Sequence, residues 1–212
     1  PLDSDDTIAP PISDAVITLQ RGGEEYDLMP TEGKAGYYHY VGDDLVIAAG
    51  ETYTLSVIYN GETTTAMTIV PPQPQGMSMS ADTLWVSDAM WGPGSGTGAG
   101  EGIEVTWENT EEGLYVVVID NLEDEAEEIL TGRPSFAPRF FSQPVSRDSY
   151  PIHQRTVTHY GRHRVSLYRV NQEYADLYAT STQDSRDLNE PLTNIENGLG
   201  IFTAFNLVTA EF

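Results

Sequence analysis

Three observations predict a mainly β chain: short runs of apolar–polar alternation, turn signals between them, and only one stretch at helical spacing. The expected architecture is two antiparallel β-sandwich-like parts, with one short α-helix near the C-terminal end. Residues 1–75 form the first part. Residues 76–212 form the second, which also carries a long Arg-rich loop.

In the first part, Ala15, Ile17 and Leu19 alternate with polar neighbours, Arg21-Gly22-Gly23 turns the chain, and Tyr26 and Leu28 begin the return. After the turn signal Glu32–Gly36, Tyr37–Val41 reads as a strand. Tyr53, Leu55, Val57 and Tyr59 alternate within Thr52–Asn60, Asn60-Gly61 is a hairpin turn, and Thr63–Val70 returns. Pro71-Pro72-Gln73-Pro74-Gln75 cannot continue a ladder, because proline lacks the donor, so it serves as edge, exit or linker.

In the second part, Leu84–Val86 reads as a short strand, and Gly92–Gly102, with six glycines, as a loop. Ile103, Val105 and Trp107 alternate with polar residues, a half-buried strand with Trp107 in the core. Leu114–Ile119 is apolar on both faces and marks a central strand. A Trp-bearing strand, a tight turn and a Tyr-bearing strand are the pattern of a fibronectin-like sandwich, after a transthyretin/Ig-like first part. Arg164–Val170 alternates again. Asn171 is an N-cap signal, and Tyr174, Leu177 and Tyr178 follow at helical spacing, predicting a helix over 171–179. Ile201–Phe212 closes as a β-like segment.

Charge narrows the function classes. Ten basic residues, one of them lysine, face 33 acids, for a net charge of -23. Nucleic acid is excluded as a partner, since binding it relies on Lys and Arg displacing phosphate counterions. Yet Arg133–Arg169 holds seven arginines, three histidines and the single acid Asp148, net +6, leaving -29 for the remainder. Disulfides and thiolate chemistry are absent with cysteine.

The tail Asn194-Ile-Glu-Asn-Gly-Leu-Gly-Ile-Phe202 resembles the C-terminal signature of a Bacteroidota outer-membrane lipoprotein family catalogued as domain of unknown function 4249. Pro11–Leu19, Gly36-Tyr37-Tyr38, Gly50–Leu55, the Val70-Pro71-Pro72 exit and the Tyr174–Tyr178 helix agree with it in order, covering nearly the whole chain. The resemblance implies a cell-surface protein, lipid-anchored through a Cys before Pro1, and often encoded beside a TonB-dependent transporter. Membrane association is then expected only through that anchor.

Motifs that carry chemistry are scarce. The glycine loop lacks a following Lys-Ser or Lys-Thr, and Glu101 and Glu104 would repel phosphate. His159 and His163, if placed on a strand, would stand about 13 Å apart by strand rise, too far for one ion. The acidic runs Asp3–Asp6 and Asp120–Glu128 miss EF-hand spacing and read as solvated faces. No Gly-x-Ser-x-Gly elbow or Ser-x-x-Lys occurs. No metal, cofactor or catalytic residue is therefore assigned, and the chain is expected not to be an enzyme.

The expected function is an accessory or binding subunit of a TonB-dependent transporter. Its docking surface would comprise Arg139, Phe140, Phe141, Arg147, Tyr150, Arg155, Tyr160 and Arg162, the Arg and aromatic chemistry enriched at interfaces. The bland reading is that these arginines pair with the protein's own surplus carboxylates. An alternative is a glycan- or peptide-binding module with Trp91 beside the glycine loop as its site. A hydrolase ranks third.

Repulsion among the 33 acids opposes the compact state and is screened by salt. The melting temperature should therefore rise between dilute buffer and about 1 M salt, where the Debye length is short. A calorimetric midpoint indifferent to salt would refute this.

Overall fold

The computed structural model describes residues 10–86, 102–129, 138–153, 156–181 and 192–212. It is mainly β, every ladder is antiparallel, and the described helix is a single short one. The chain forms two units, Pro1–Val70 with Ser185–Thr203, and Pro71–Asp184 with Ala204–Phe212. No described helix is long and apolar enough to cross a membrane.

The first unit is one six-stranded sheet. Its strands are β1 (Val16–Arg21), β2 (Glu24–Pro30), β3 (Tyr38–His39), β4 (Thr52–Tyr59), β5 (Glu62–Ile69) and β12 (Ile195–Glu196), in the order β12-β5-β4-β1-β2-β3. Asn60 and Gly61 both have positive φ, as the tight β4–β5 turn requires. Leu19, Leu55, Ala66 and Tyr26 oppose one another in register and so share the inner face. The segment 40–50 folds across one end of that face: the Tyr53 hydroxyl donates to the Val46 carbonyl at 2.9 Å, and Tyr40 meets Tyr26 edge-on.

Two expectations change here. Only Tyr38–His39 of Tyr37–Val41 pairs, against Met29 and Pro30, since Pro30 ends the donor row of β2. Where the sequence assigns everything after residue 75 to the second part, β12 instead returns to pair with β5. Asn194 fixes this return by donating to the carbonyls of Met67 and Phe202 and accepting the Phe202 N–H.

The second unit stacks two sheets. One has the order β10-β7-β6, from β6 (Gln75–Met79), β7 (Ile103–Glu108) and β10 (Ser149–Ile152). The other, β13-β11-β8-β9, comprises β8 (Leu114–Asn121), β9 (Arg139–Phe141), β11 (His163–Val170) and β13 (Asn206–Glu211). Ile103, Val105, Trp107 and Ile152 of the first sheet pack against Tyr115, Val117, Ile119, Val165 and Leu167 of the second. The opposite side of β8 is apolar too. There Val116, Val118 and Val170 form a second cluster with Tyr174 of α1 (Gln172–Ser181). The Asn171 carbonyl accepts the Tyr174 and Ala175 N–H groups at the helix start, while Leu177 lies half-exposed.

Leu84–Val86 forms no strand. Both sides of β7 are already occupied, by β10 and β6, so this segment cannot pair with β7; Leu84 packs on the core and Trp85 points outward, 81% exposed. The Pro-Gln segment ends sooner than its composition suggests, because β6 starts at Gln75 with a bulge before Ser78. Within the Arg-rich window read as a loop lie β9 and β10, strands of three and four residues, one interrupted by Pro151. In the closing segment the strand begins only at Asn206.

Leu167 is fully buried between the sheets. Leu167→Ala should lower stability by about 2–5 kcal/mol, the transfer term plus the residual cavity, as read by urea unfolding. A change under about 1 kcal/mol would mean that the site collapses around the deletion.

Candidate functional site

The arginine-bearing end of β8 is where charge, aromatics and a cavity converge. β8 is apolar until Asp120, whose carboxylate pairs with Arg139 of β9 at 2.7 Å. The Arg139 guanidinium also lies over the Phe141 ring, 4.6 Å from its centroid, and Phe141 is half-exposed. Leu122 then donates its N–H to the Arg162 carbonyl, and Glu123 accepts the Arg162 N–H at 2.9 Å and faces its Nε at 3.5 Å. The Arg162 N–H is the main cause holding the Glu123 carboxyl below its ordinary range. Gly161, at φ +104°, is required here, because any Cβ would run into the Glu123 side chain.

Asn121 organises the space between. Its Oδ1 accepts the Glu123 N–H at 2.9 Å, which fixes the amide orientation, and its Nδ2 donates to the Tyr160 carbonyl at 2.8 Å. The same Nδ2 faces His163 Nε2 at 3.2 Å, so Nε2 accepts and the neutral ring carries its proton on Nδ1. That Nδ1 is buried and makes no hydrogen bond among the described residues. The ring stacks on Phe212 at 5.1 Å. Burial is the main cause lowering the His163 pKa below its ordinary 6.5; His159 adds to this, while the Gly161 carbonyl and Glu123 oppose it.

Beside His163 opens a cavity of about 240 Å³, smaller than the usual range for drug-sized ligands. Leu84, Ile129, Val157 and Phe212 form its apolar wall, and His159 and Arg162 its polar rim. His159 and His163 thus line one cavity, although His163 opens a strand and His159 bridges Glu128 in a separate short contact. His153 stands elsewhere, beside Gly102. Among the described residues no three His, Asp or Glu side chains converge as metal ligands.

The eight residues expected to form one docking surface are distributed. Arg139, Phe141, Tyr160 and Arg162 gather around Asp120–Glu123. Phe140 and Tyr150 contact each other at 6.2 Å and pack against the core. Arg147 lies at the other end of β8, where its carbonyl accepts from Asn109. Arg155 and Trp91 lie outside the described residues. Two more arginines pair internally, Arg169 with Glu111 at 2.7 Å and Arg164 with Glu211 at 3.4 Å. The organising residues Asp120, Asn121 and Glu123 were hidden in the acidic run read as a solvated face; the one available signal was that this run directly continues an apolar central strand.

Comparison with known families adds a single result: the family described as domain of unknown function (DUF4249) matches residues 1–211. The chain belongs to this family. Among curated proteins none matches the chain. Within this DUF4249 chain, the tail motif has a physical role of its own, since Asn194 and Asn197 hydrogen-bond backbone carbonyls of β5 and so hold the return strand.

Burial of His163 makes the stability of this chain depend on pH. The His163 pKa is lowered on folding, so between that value and about 6.5 the unfolded chain binds more protons and stability rises with pH. Stability should be full above about pH 6.5 and decline as pH falls below it. His163→Phe should flatten this limb in urea titrations across pH 7 to 5, and an unchanged slope would show that other groups carry it.

Proposed function

We propose that this protein is a non-catalytic, lipid-anchored subunit of the bacterial outer membrane's cell surface that docks a TonB-dependent transporter. The supporting observation is the outer edge of β9, where Arg139 stacks over a half-exposed Phe141. Among the described residues β9 has one neighbour, β8, and antiparallel alternation turns the backbone groups of Arg139 and Phe141 away from it, because Pro138 and Ser142 bond inward. An open edge beside an Arg–aromatic pair is the surface chemistry of protein interfaces. Of the arginines first grouped for docking, Arg139 and Arg162 each hold one carboxylate while their side chains stay substantially exposed, so both can take a further acceptor from a partner. The anchor and the transporter rest on the family resemblance.

A second reading, a surface module for glycans or peptides, is favoured by Trp85, a residue 81% exposed and six positions before Trp91 in sequence. Transporter docking should not respond to soluble sugars, whereas a Trp85 site should.

Phe141→Asp should reduce co-purification with the transporter encoded beside this chain by about tenfold or more, as for a buried aromatic anchor. Recovery equal to that of the parent chain, with the variant folded by circular dichroism, would sink the β9 docking reading. Loss of glycan binding on Trp85→Ala would favour the second reading.

A further inference from the structure

The first unit presents a surface that the β9 reading does not use. Residues opposed in register share one face of a sheet, so the outer face can be read row by row. One row runs Glu196, Thr65, Ser56, Thr18, Asp27 across five strands. The next runs Met67, Thr54, Gln20, Glu25. On either side lie Val16, Ile58 and Thr63, and the pair Thr52 and Ile69.

Along β5, β4 and β1 this face carries eleven side chains and no charge, in a chain where 20% of residues are charged. A solvated sheet face ordinarily reads polar and charged outward. Here instead Val16, Ile58 and Met67 are 60%, 45% and 59% exposed, an apolar surface set among hydroxyls. The carboxylates stand only at the rims and are held there. Thr65 donates to Glu196 and Thr18 to Asp27, each at 3.1 Å, and Gln20 donates to Glu25 at 2.8 Å. The two rims are four strand spacings apart, about 19 Å.

We infer that this outer face of β5, β4 and β1 is a docking surface for a protein whose contact patch is uncharged at its centre and basic at two rims about 19 Å apart. A second copy of this chain does not fit. Two-fold pairing of the face would set an acidic rim against an acidic rim of the other copy, between molecules that each carry -23. The inference is independent of the β9 edge, which belongs to the other unit.

The absence of cysteine makes the test direct. Met67→Cys places a thiol on the face, and Glu104→Cys, at an exposed position of β7, is the reference. Each variant is labelled with a membrane-impermeant maleimide, once as purified full chain and once in intact producing cells. Met67→Cys should label about tenfold more slowly in cells than purified, as nine-tenths occupancy requires, while Glu104→Cys labels alike in both. Adding Asp27→Lys and Glu196→Lys should restore fast labelling in cells. Should that variant not fold, about 1 M salt should restore it in the parent, by screening the rim charges. Equal rates for Met67→Cys in both settings would overturn the surface. Protection that survives both charge reversal and salt would overturn the basic partner. Protection of the purified chain that grows with its concentration would show a second copy as occupant, and so overturn the inference as well.

Discussion

Burial of β8 on both faces is the constraint from which the second unit follows. A strand with Tyr115, Val117 and Ile119 on one side and Val116 and Val118 on the other cannot sit at a solvent surface without leaving one set wet. The first set is covered by the three-stranded sheet. The second is covered in part by α1 through Tyr174, whose ring also meets Phe205 edge-on at 5.1 Å. A two-layer sandwich would satisfy only one set, so the helix is a required third layer, and its position directly after β11 is the shortest route to that face.

The same strand decides where charge can go. Its apolar run ends at Asp120, and the first carboxylates beyond that core stand at partly exposed positions, where an ion pair fixes geometry more than it adds stability. Asp120 and Glu123 accordingly hold Arg139 and Arg162, and Asn121 ties both returning loops to the strand end. Much of the polarised charge seen in the sequence is thus spent inside the unit. The bland reading of the Arg-rich window is correct for Arg164 and Arg169, whose partners Glu211 and Glu111 are 47 and 58 residues away. Arg139 differs because its guanidinium also covers an aromatic ring that the fold leaves half-exposed.

What the sequence showed depended on how local each signal is. The β4–β5 hairpin was legible because Asn60-Gly61 admits the left-handed pair that a tight turn needs, and β8 because six apolar residues in a row have few other solutions. β9, β10 and β12 were not legible, since two to four residues cannot display alternation and their pairing is set by strands far away in the chain. Arg–carboxylate partners are non-local for the same reason. The face of β5, β4 and β1 lies between these cases: each strand shows its Thr-rich positions in sequence, but only the register reveals that none of the eleven is charged.

The two sheets flanking this contrast solve opposite problems. In the β8 sheet the central strand β8 is buried on both faces, and the exposed large apolar residues described there, Phe141 and Leu207, stand on the two edge strands β9 and β13, so any contact there is narrow and depends on backbone pairing as much as on side chains. The β4 sheet covers one end of its inner face with its own 40–50 segment and leaves the outer face broad, uncharged along β5, β4 and β1, and studded with Val16, Ile58 and Met67. Leaving such a face bare costs solubility, which a net charge of -23 offsets through repulsion between molecules. Charged residues along β5, β4 and β1 would have removed the hazard at little cost in stability, because exposed sheet positions tolerate them. Their absence from that face, in a chain otherwise rich in acids, is therefore better explained by what the face must contact than by what the fold requires.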